Sequence, residues 1–255
     1  MTRFVGILSA KGGVGKTSSV VNLGAALNHF GRDVIIVDGN LSTPNLGLHL
    51  GVYSVPISLH DVLKGKNRIE ESVYMHNSGI KLLPAGISLA DLKDANPDKL
   101  KRILPSLDGL ADIVLVDGAA GLGREALAVL NAVDDVLIIT NPEIPSITDS
   151  LKTIKIAERL GKAVRGIIVT RTGSESDLAL ENVAALLGKP IIGVIPEDDS
   201  MKSALLKKSA VIHTDPKSRS AIAYKRLAAY LIGLKYEEEY SEGFFSSFLR
   251  RLRLK

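Results

Sequence analysis

Short, almost wholly apolar runs recur along the chain, separated by polar breaks rich in glycine. Phe4 to Leu8, Val34 to Val37, Ile80 to Leu83, Ile113 to Val116, Val136 to Thr140, Val164 to Thr170 and Ile191 to Ile195 show no strict alternation, as expected of parallel strands buried on both faces. Between them the spacing of Val20, Leu23, Gly24 and Leu27 predicts a helix. Further helices are predicted over Ser146 to Leu160, Asp177 to Leu187 and Ser218 to Leu231. This alternation predicts an α/β fold: a mostly parallel, twisted sheet with helices on both faces and right-handed crossovers. The 255 residues suffice for one full core, and no internal repeat or low-complexity linker divides them. The expected organisation is one domain over 1–235, an acidic linker over 236–243 and a separate terminal segment over 244–255.

Ligands of open α/β sheets bind beyond the carboxyl ends of the strands. That rule selects Asp38 to Asn45, Asp117 to Gly121, Asn141 to Glu143, Arg171, and Pro196 to Asp198 as candidate site residues. Above all it selects the stretch Ser9-Ala10-Lys11-Gly12-Gly13-Val14-Gly15-Lys16-Thr17-Ser18 after the first strand. Strand, glycine-rich turn and helix are the context of a phosphate-binding loop. Its backbone N–H groups converge on an anion, and the helix N-terminus adds partial positive charge. In such a loop Lys16 reaches the β- and γ-phosphates and the Thr17 hydroxyl ligates Mg²⁺. The usual template begins with glycine where this chain has Ala10. It also has a second lysine, Lys11, inside the loop.

Lys11-Gly-Gly-Val-Gly-Lys16-Thr17 resembles the deviant Walker A motif of the MinD/ParA family of ATPases, which implies a P-loop NTPase fold with ATP and Mg²⁺ as cofactors. The resemblance implies that Lys11 reaches across a homodimer interface to the partner's ATP. Asp117, closing an apolar strand, resembles the Walker B position and would hold a Mg²⁺ water together with Thr17. The family commonly has Asp-x-Pro-Ala-Gly there, whereas this chain has Asp117-Gly118-Ala119-Ala120-Gly121. Gly118, Gly121 and Gly123 are expected to make a mobile turn. Asp38-Gly39-Asn40 lies at the family's first switch segment, where relatives usually have Asp-x-Asp. The first acid sits near Mg²⁺ and the second positions the attacking water. An amide at Asn40 can hold a water but cannot take its proton, so slow hydrolysis is expected. Asn141-Pro142-Glu143 and Val194-Ile195-Pro196-Glu197-Asp198 resemble the MinD branch. There the second loop packs on adenine, helped by a residue at the position of Arg171, and Asp149 matches an acid linked to partner binding.

Composition narrows the function classes. Cysteine is absent, which excludes disulfides and thiolate metal sites, and with them the Fe–S carriers and nitrogenase reductases that share the deviant loop. No apolar run approaches a membrane span and no signal-peptide pattern is present, so a cytoplasmic protein is expected. The net charge of +4 resides in the last twelve residues, which carry Arg250, Arg251, Arg253 and Lys255 and no acid. A neutral body does not forbid a basic face for nucleic acid, but the net charge is no evidence for one, and nucleic acid is not the expected partner. On a helical wheel Phe244, Phe245, Phe248, Leu249 and Leu252 fall within an arc of about 140°, opposite the arginines, the pattern of an in-plane membrane helix; a terminal helix docked on the body and a partner-binding helix are the competing readings. Glu237, Glu238, Glu239 and Glu242 precede it. The expected function is an ATP-dependent, dimerising, membrane-cycling switch that positions a structure such as the division site. In the ATP state it would sit on the inner face of the cell membrane and act with an unidentified regulatory or cargo protein. A DNA-partitioning ATPase and a flagellar-number or placement regulator are the alternatives.

Overall fold

Seven of the apolar runs become strands because each can bury both faces between helical layers. The computed structural model describes residues 1–93 and 95–236; residues 237–255, with most of the expected linker and the whole amphipathic segment, lie outside the described residues. The strands are β1 (Arg3–Ser9), β2 (Val34–Asp38), β3 (Tyr74–Met75), β4 (Lys81–Leu83), β5 (Ile113–Ala120), β6 (Asp135–Thr140), β7 (Ala163–Thr172) and β8 (Ile191–Pro196). They form one sheet in the order β3-β4-β2-β5-β1-β6-β7-β8. Every pairing is parallel except β3 with β4.

On one face lie α1 (Lys16–His29), α2 (Leu46–His49), α9 (Asp199–Leu206), α10 (Val211–Thr214) and α11 (Arg219–Leu231). On the other lie α3 (Leu59–Leu63), α5 (Leu100–Ile103), α6 (Arg124–Ala132), α7 (Ile144–Arg159) and α8 (Leu180–Leu187). The short α4 (Leu89–Leu92) is at the surface. Helix α1 is the most deeply held, with Val20, Leu23, Ala25, Ala26 and Leu27 fully buried. Gly24 lets it approach β2, since a Cβ there would come within 2.9 Å of the Ile36 side chain.

Three sequence expectations are revised. The strand carrying Asp117 does not stop there but runs on to Ala120. Gly118 is thus a strand residue and not part of a mobile turn; a Cβ at this position would lie 2.4 Å from Leu8 Cδ2, so close packing against β1 demands glycine. The helix expected from Asp177 begins at Leu180. Asp177 instead closes a turn, its carboxylate accepting from the N–H groups of Gly173 and Ser174. The antiparallel β3, the eight-residue α9 and the four-residue α10 carry no distinct sequence signal, being too short for a period to register.

Candidate nucleotide-binding site

The loop between β1 and α1 is built by two glycines in the left-handed region, Gly13 (φ 78°) and Gly15 (φ 87°). That region is open to glycine without steric cost. Val14 between them is buried, and its carbonyl accepts from the Thr170 hydroxyl at 2.6 Å. Strand β7 thus anchors the loop from beneath while its N–H side faces a cleft.

Beneath the cleft lies a buried cluster of one lysine and two aspartates. Lys16 is 8% exposed, and Asp38 and Asp117 are fully buried. The parallel register of β2 on β5 sets Asp38 beside Asp117. Lys16 Nζ lies 2.5 Å from Asp117 Oδ1, and Thr17 Oγ1 donates to Asp117 Oδ2 at 2.6 Å. Asp38 accepts from the backbone N–H groups of Leu46 (2.9 Å) and Asn40 (3.3 Å). Burial, and then the charge of Asp117, push the Asp38 carboxyl up to about 8 despite those donors and Lys16. Two carboxyl groups beside a hydroxyl, one of them driven toward its protonated form by burial and the charge of the other, fit a hard divalent cation that would let both ionise. Thr17, Asp117 and Asp38 would hold Mg²⁺, which would neutralise charge on the phosphates.

The cleft above has a volume of about 720 Å³. One wall is the loop itself, with Lys11, Gly12, Gly13, Gly15, Lys16, Thr17 and Ser18 all reaching the surface of the cleft. The facing wall is the segment after β2, with Asn40, Ser42, Thr43, Asn45 and His49. The first turn of α6 adds Arg124 and Glu125, and Arg171 stands at a further side. Helix dipole, loop N–H groups and two lysines make this an anion site.

The expected residues are not used equally. Lys11 is half exposed at the mouth, its Nζ 3.7 Å from Glu143. Asn40 turns its amide onto its own loop, donating to the Thr43 carbonyl at 2.6 Å and accepting from the Thr43 hydroxyl at 3.1 Å. Arg171 adopts φ 56°, an uncommon conformation outside glycine that clusters at ligand sites, and its Nε lies 4.0 Å from Glu197. Among the described residues Asn141, Pro196, Glu197 and Asp198 do not line the cleft. Asn141 rests beside the Thr170 hydroxyl (3.2 Å). Asp198 caps α9 through the Ser200 N–H and also accepts from the Ser220 N–H. Burial alone would raise its carboxyl, but these donors outweigh it and hold it below the usual range. Asp149 is an exposed residue of α7 paired with Lys152 at 2.9 Å. Ser42 fell within the selected stretch Asp38 to Asn45, whereas sequence reasoning missed His49, Arg124 and Glu125 as cleft residues. For Arg124 and Glu125 the signal available was position, four and five residues after β5 ends at Ala120 on the face where ligands bind; His49, at the end of α2, had no such signal.

A family model described as the CobQ/CobB/MinD/ParA nucleotide binding domain matches residues 5–211. An ATP-binding protein of Methanocaldococcus jannaschii is 38% identical over 252 residues, covering 97% of this chain and 96% of that protein. The antiactivator FleN of Pseudomonas aeruginosa is 28% identical over 237 residues, covering 88% and 84% of the two chains. Among solved structures, the septum site-determining protein MinD of Pyrococcus horikoshii OT3, complexed with Mg-ADP, superposes with a TM-score of 0.88. It is 37% identical and covers 91% of this chain and 96% of that one.

Proposed function

The chain belongs to the CobQ/CobB/MinD/ParA family of nucleotide-binding domains, and from that premise we propose that it is an ATP-hydrolysing switch of MinD type that cycles on and off a membrane. The observation that carries this reading is the division of labour between the two lysines of one loop. Lys16 is buried against Asp117, whereas Lys11 is half exposed at the cleft mouth. A buried lysine serves the nucleotide of its own subunit. An exposed one on the same loop is available to the nucleotide of a second copy. ATP would then bridge a homodimer, and two copies of segment 244–255 would face one anionic bilayer. Each basic residue near such a surface contributes about 1 kcal/mol, so one tail is marginal and two gain from effective concentration.

Of the expected base contacts Arg171 lines the cleft and would stand at the adenine end, with Glu197 beside its guanidinium. Asn40, lacking a basic carboxylate, would leave turnover slow. The likeness to FleN favours a second reading, a placement regulator built on the same ATP-driven dimer. Co-sedimentation with anionic liposomes tests the membrane cycle: the full chain should pellet with ATP and Mg²⁺ and stay soluble with ADP. Failure to pellet with ATP refutes it.

A further inference from the structure

The relatives' usual second acid of the first switch is Asn40 here, and its amide is committed to Thr43. The cleft nevertheless contains a carboxylate. Among the described residues the walls of the cleft hold one acidic side chain, Glu125, in the first turn of α6. Asp38 and Asp117 lie buried beneath it. Glu125 faces the segment after β2 across the cleft, and both of its oxygens are occupied by one residue of that segment. Its Oε2 accepts from the Ser42 N–H at 3.2 Å, and its Oε1 accepts from the Ser42 hydroxyl. The neighbouring Arg124 is held by Asp98 and Asn96, which fixes the start of α6 and therefore the position from which Glu125 projects.

We propose that Glu125 is the general base for ATP hydrolysis in this chain, and that Ser42 holds it in reserve. The proposal rests on the ATPase reading above. Release from Ser42 presents the Glu125 carboxylate to a water in the cleft. The water oxygen forms a bond to the γ-phosphorus and its proton passes to Glu125. The bond between the γ-phosphorus and the β–γ bridging oxygen breaks, and its electron pair leaves with ADP. Glu125 then returns the proton to solvent. Every atom comes from ATP, water and the carboxylate. Asn40 keeps one amide N–H and one carbonyl lone pair beyond its bonds to Thr43 and can orient the water with these, so positioning and proton acceptance are divided between two residues. The chemistry requires this division because an amide accepts hydrogen bonds at neutral pH but does not take a proton.

The test is single-turnover hydrolysis by the full chain with ATP and Mg²⁺, together with ATP affinity by calorimetry. Glu125→Gln should lower the rate about 10- to 100-fold, toward the lower end of general-base contributions because phosphoryl transfer leans on positioning, with ATP affinity changed less than twofold. Ser42→Ala frees the carboxylate and should raise the rate. Asn40→Asp in the Glu125→Gln background should recover part of the loss by returning an acid to the opposite wall. If Glu125 were only a latch, Glu125→Gln and Ser42→Ala would move the rate in the same direction; that result overturns the proposal. So does an unchanged rate in Glu125→Gln. If the wild-type chain binds ATP but does not hydrolyse it at all, the ATPase reading itself falls, and this proposal with it.

Discussion

Replacing Lys16 should cost the folded protein stability in the absence of any nucleotide, and the cost should grow with pH. Lys16→Met keeps the length of the apolar stem and removes the ammonium. What remains is Asp117, fully buried and still accepting from Thr17, beside the fully buried Asp38. Removing one partner of a buried ion pair costs about 3–5 kcal/mol because the other charge stays buried without compensation. At roughly 2–4 °C per kcal/mol for a domain of this size, the melting temperature should fall by about 6–20 °C.

The pH dependence follows from Asp38. Its folded value of about 8 lies above the 3.8 of an ordinary aspartate, so the folded state binds a proton more tightly than the unfolded one. The stabilisation from that proton is fully present below pH 3.8 and is lost as pH rises through 8. Lys16 is one of the groups that hold the Asp38 carboxyl down, so Lys16→Met raises it further and makes folding depend more strongly on that proton. The loss should therefore be smaller at pH 6, where the proton is kept, and larger at pH 8.5. Differential scanning calorimetry of apo wild type and Lys16→Met at both pH values measures this directly. Asp38→Asn should raise the melting temperature of the apo protein at pH 8.5 more than at pH 6. A fall of less than 2 °C for Lys16→Met, or the same fall at both pH values, refutes the argument that Lys16 neutralises a buried pair.

Lys11 is exposed and its partner Glu143 is equally so, so Lys11→Ala should leave melting temperature and ATP affinity within error, while light scattering with ATP reports monomer where wild type is dimer. Asn40→Asp in the wild-type background should raise single-turnover hydrolysis, because a carboxylate can take the water's proton; it also loses the donation to Thr43, so an unchanged rate would mean that position 40 does not touch the water. In the terminal segment, Phe248→Glu should abolish liposome binding at any salt, whereas Arg250→Ala with Arg251→Ala removes about 2 kcal/mol of surface attraction per tail and should weaken binding and its salt sensitivity together. Liposome pelleting across a salt series separates these two outcomes.

The strands and the phosphate loop were legible because each rests on a local pattern. A run such as Val34–Val37 can be satisfied only between two layers, and the loop's glycines, lysines and threonine lie within eight consecutive residues. The electrostatics of the site were not legible in the same way. Nothing local to Asp38 announces that it will lie fully buried beside Asp117, 79 positions away in sequence; that follows from strand order, which places β2 against β5. The opposite error occurred at Gly118. Three glycines in six residues suggested a mobile turn, but one of them serves packing against Leu8, a demand set by a strand more than a hundred residues earlier. Asp198 was read as part of a base-binding loop from its position after β8. Its carboxylate is spent on the N–H groups of Ser200 and Ser220, because polar residues after strands also cap the helices that follow. Glu125 escaped notice for a related reason: it lies on a helix, and the cleft is closed by the first turn of that helix as well as by the loops.

The placement of α1 constrains how nucleotide could control the terminal segment. The helix starts at Lys16 inside the cleft and ends at His29. Fourteen residues at 1.5 Å each carry it about 21 Å away. At that far end Phe30 packs edge-on against Tyr236, ring centroids 5.5 Å apart, and Tyr236 is the last residue before the acidic stretch. Tyr236, the last described residue, therefore lies at the end of the domain away from the phosphate loop. Tyr236 itself is thus far from a γ-phosphate bound in the cleft, and α1 is too deeply packed to slide as a piston without breaking the core around Leu23 and Leu27. On the proposed reading such a switch would work by counting. Nucleotide bound in the cleft would join two subunits through Lys11, and each subunit would contribute one copy of segment 244–255. Membrane affinity would then rise through effective concentration, with no conformational signal needed through the body. The consequence is specific: a dimer forced by a cross-link near the cleft should bind anionic liposomes without ATP, and a monomer locked with ATP, such as Lys11→Ala, should not. Binding of the ATP-loaded Lys11→Ala monomer at wild-type strength would show instead that the signal passes through the domain.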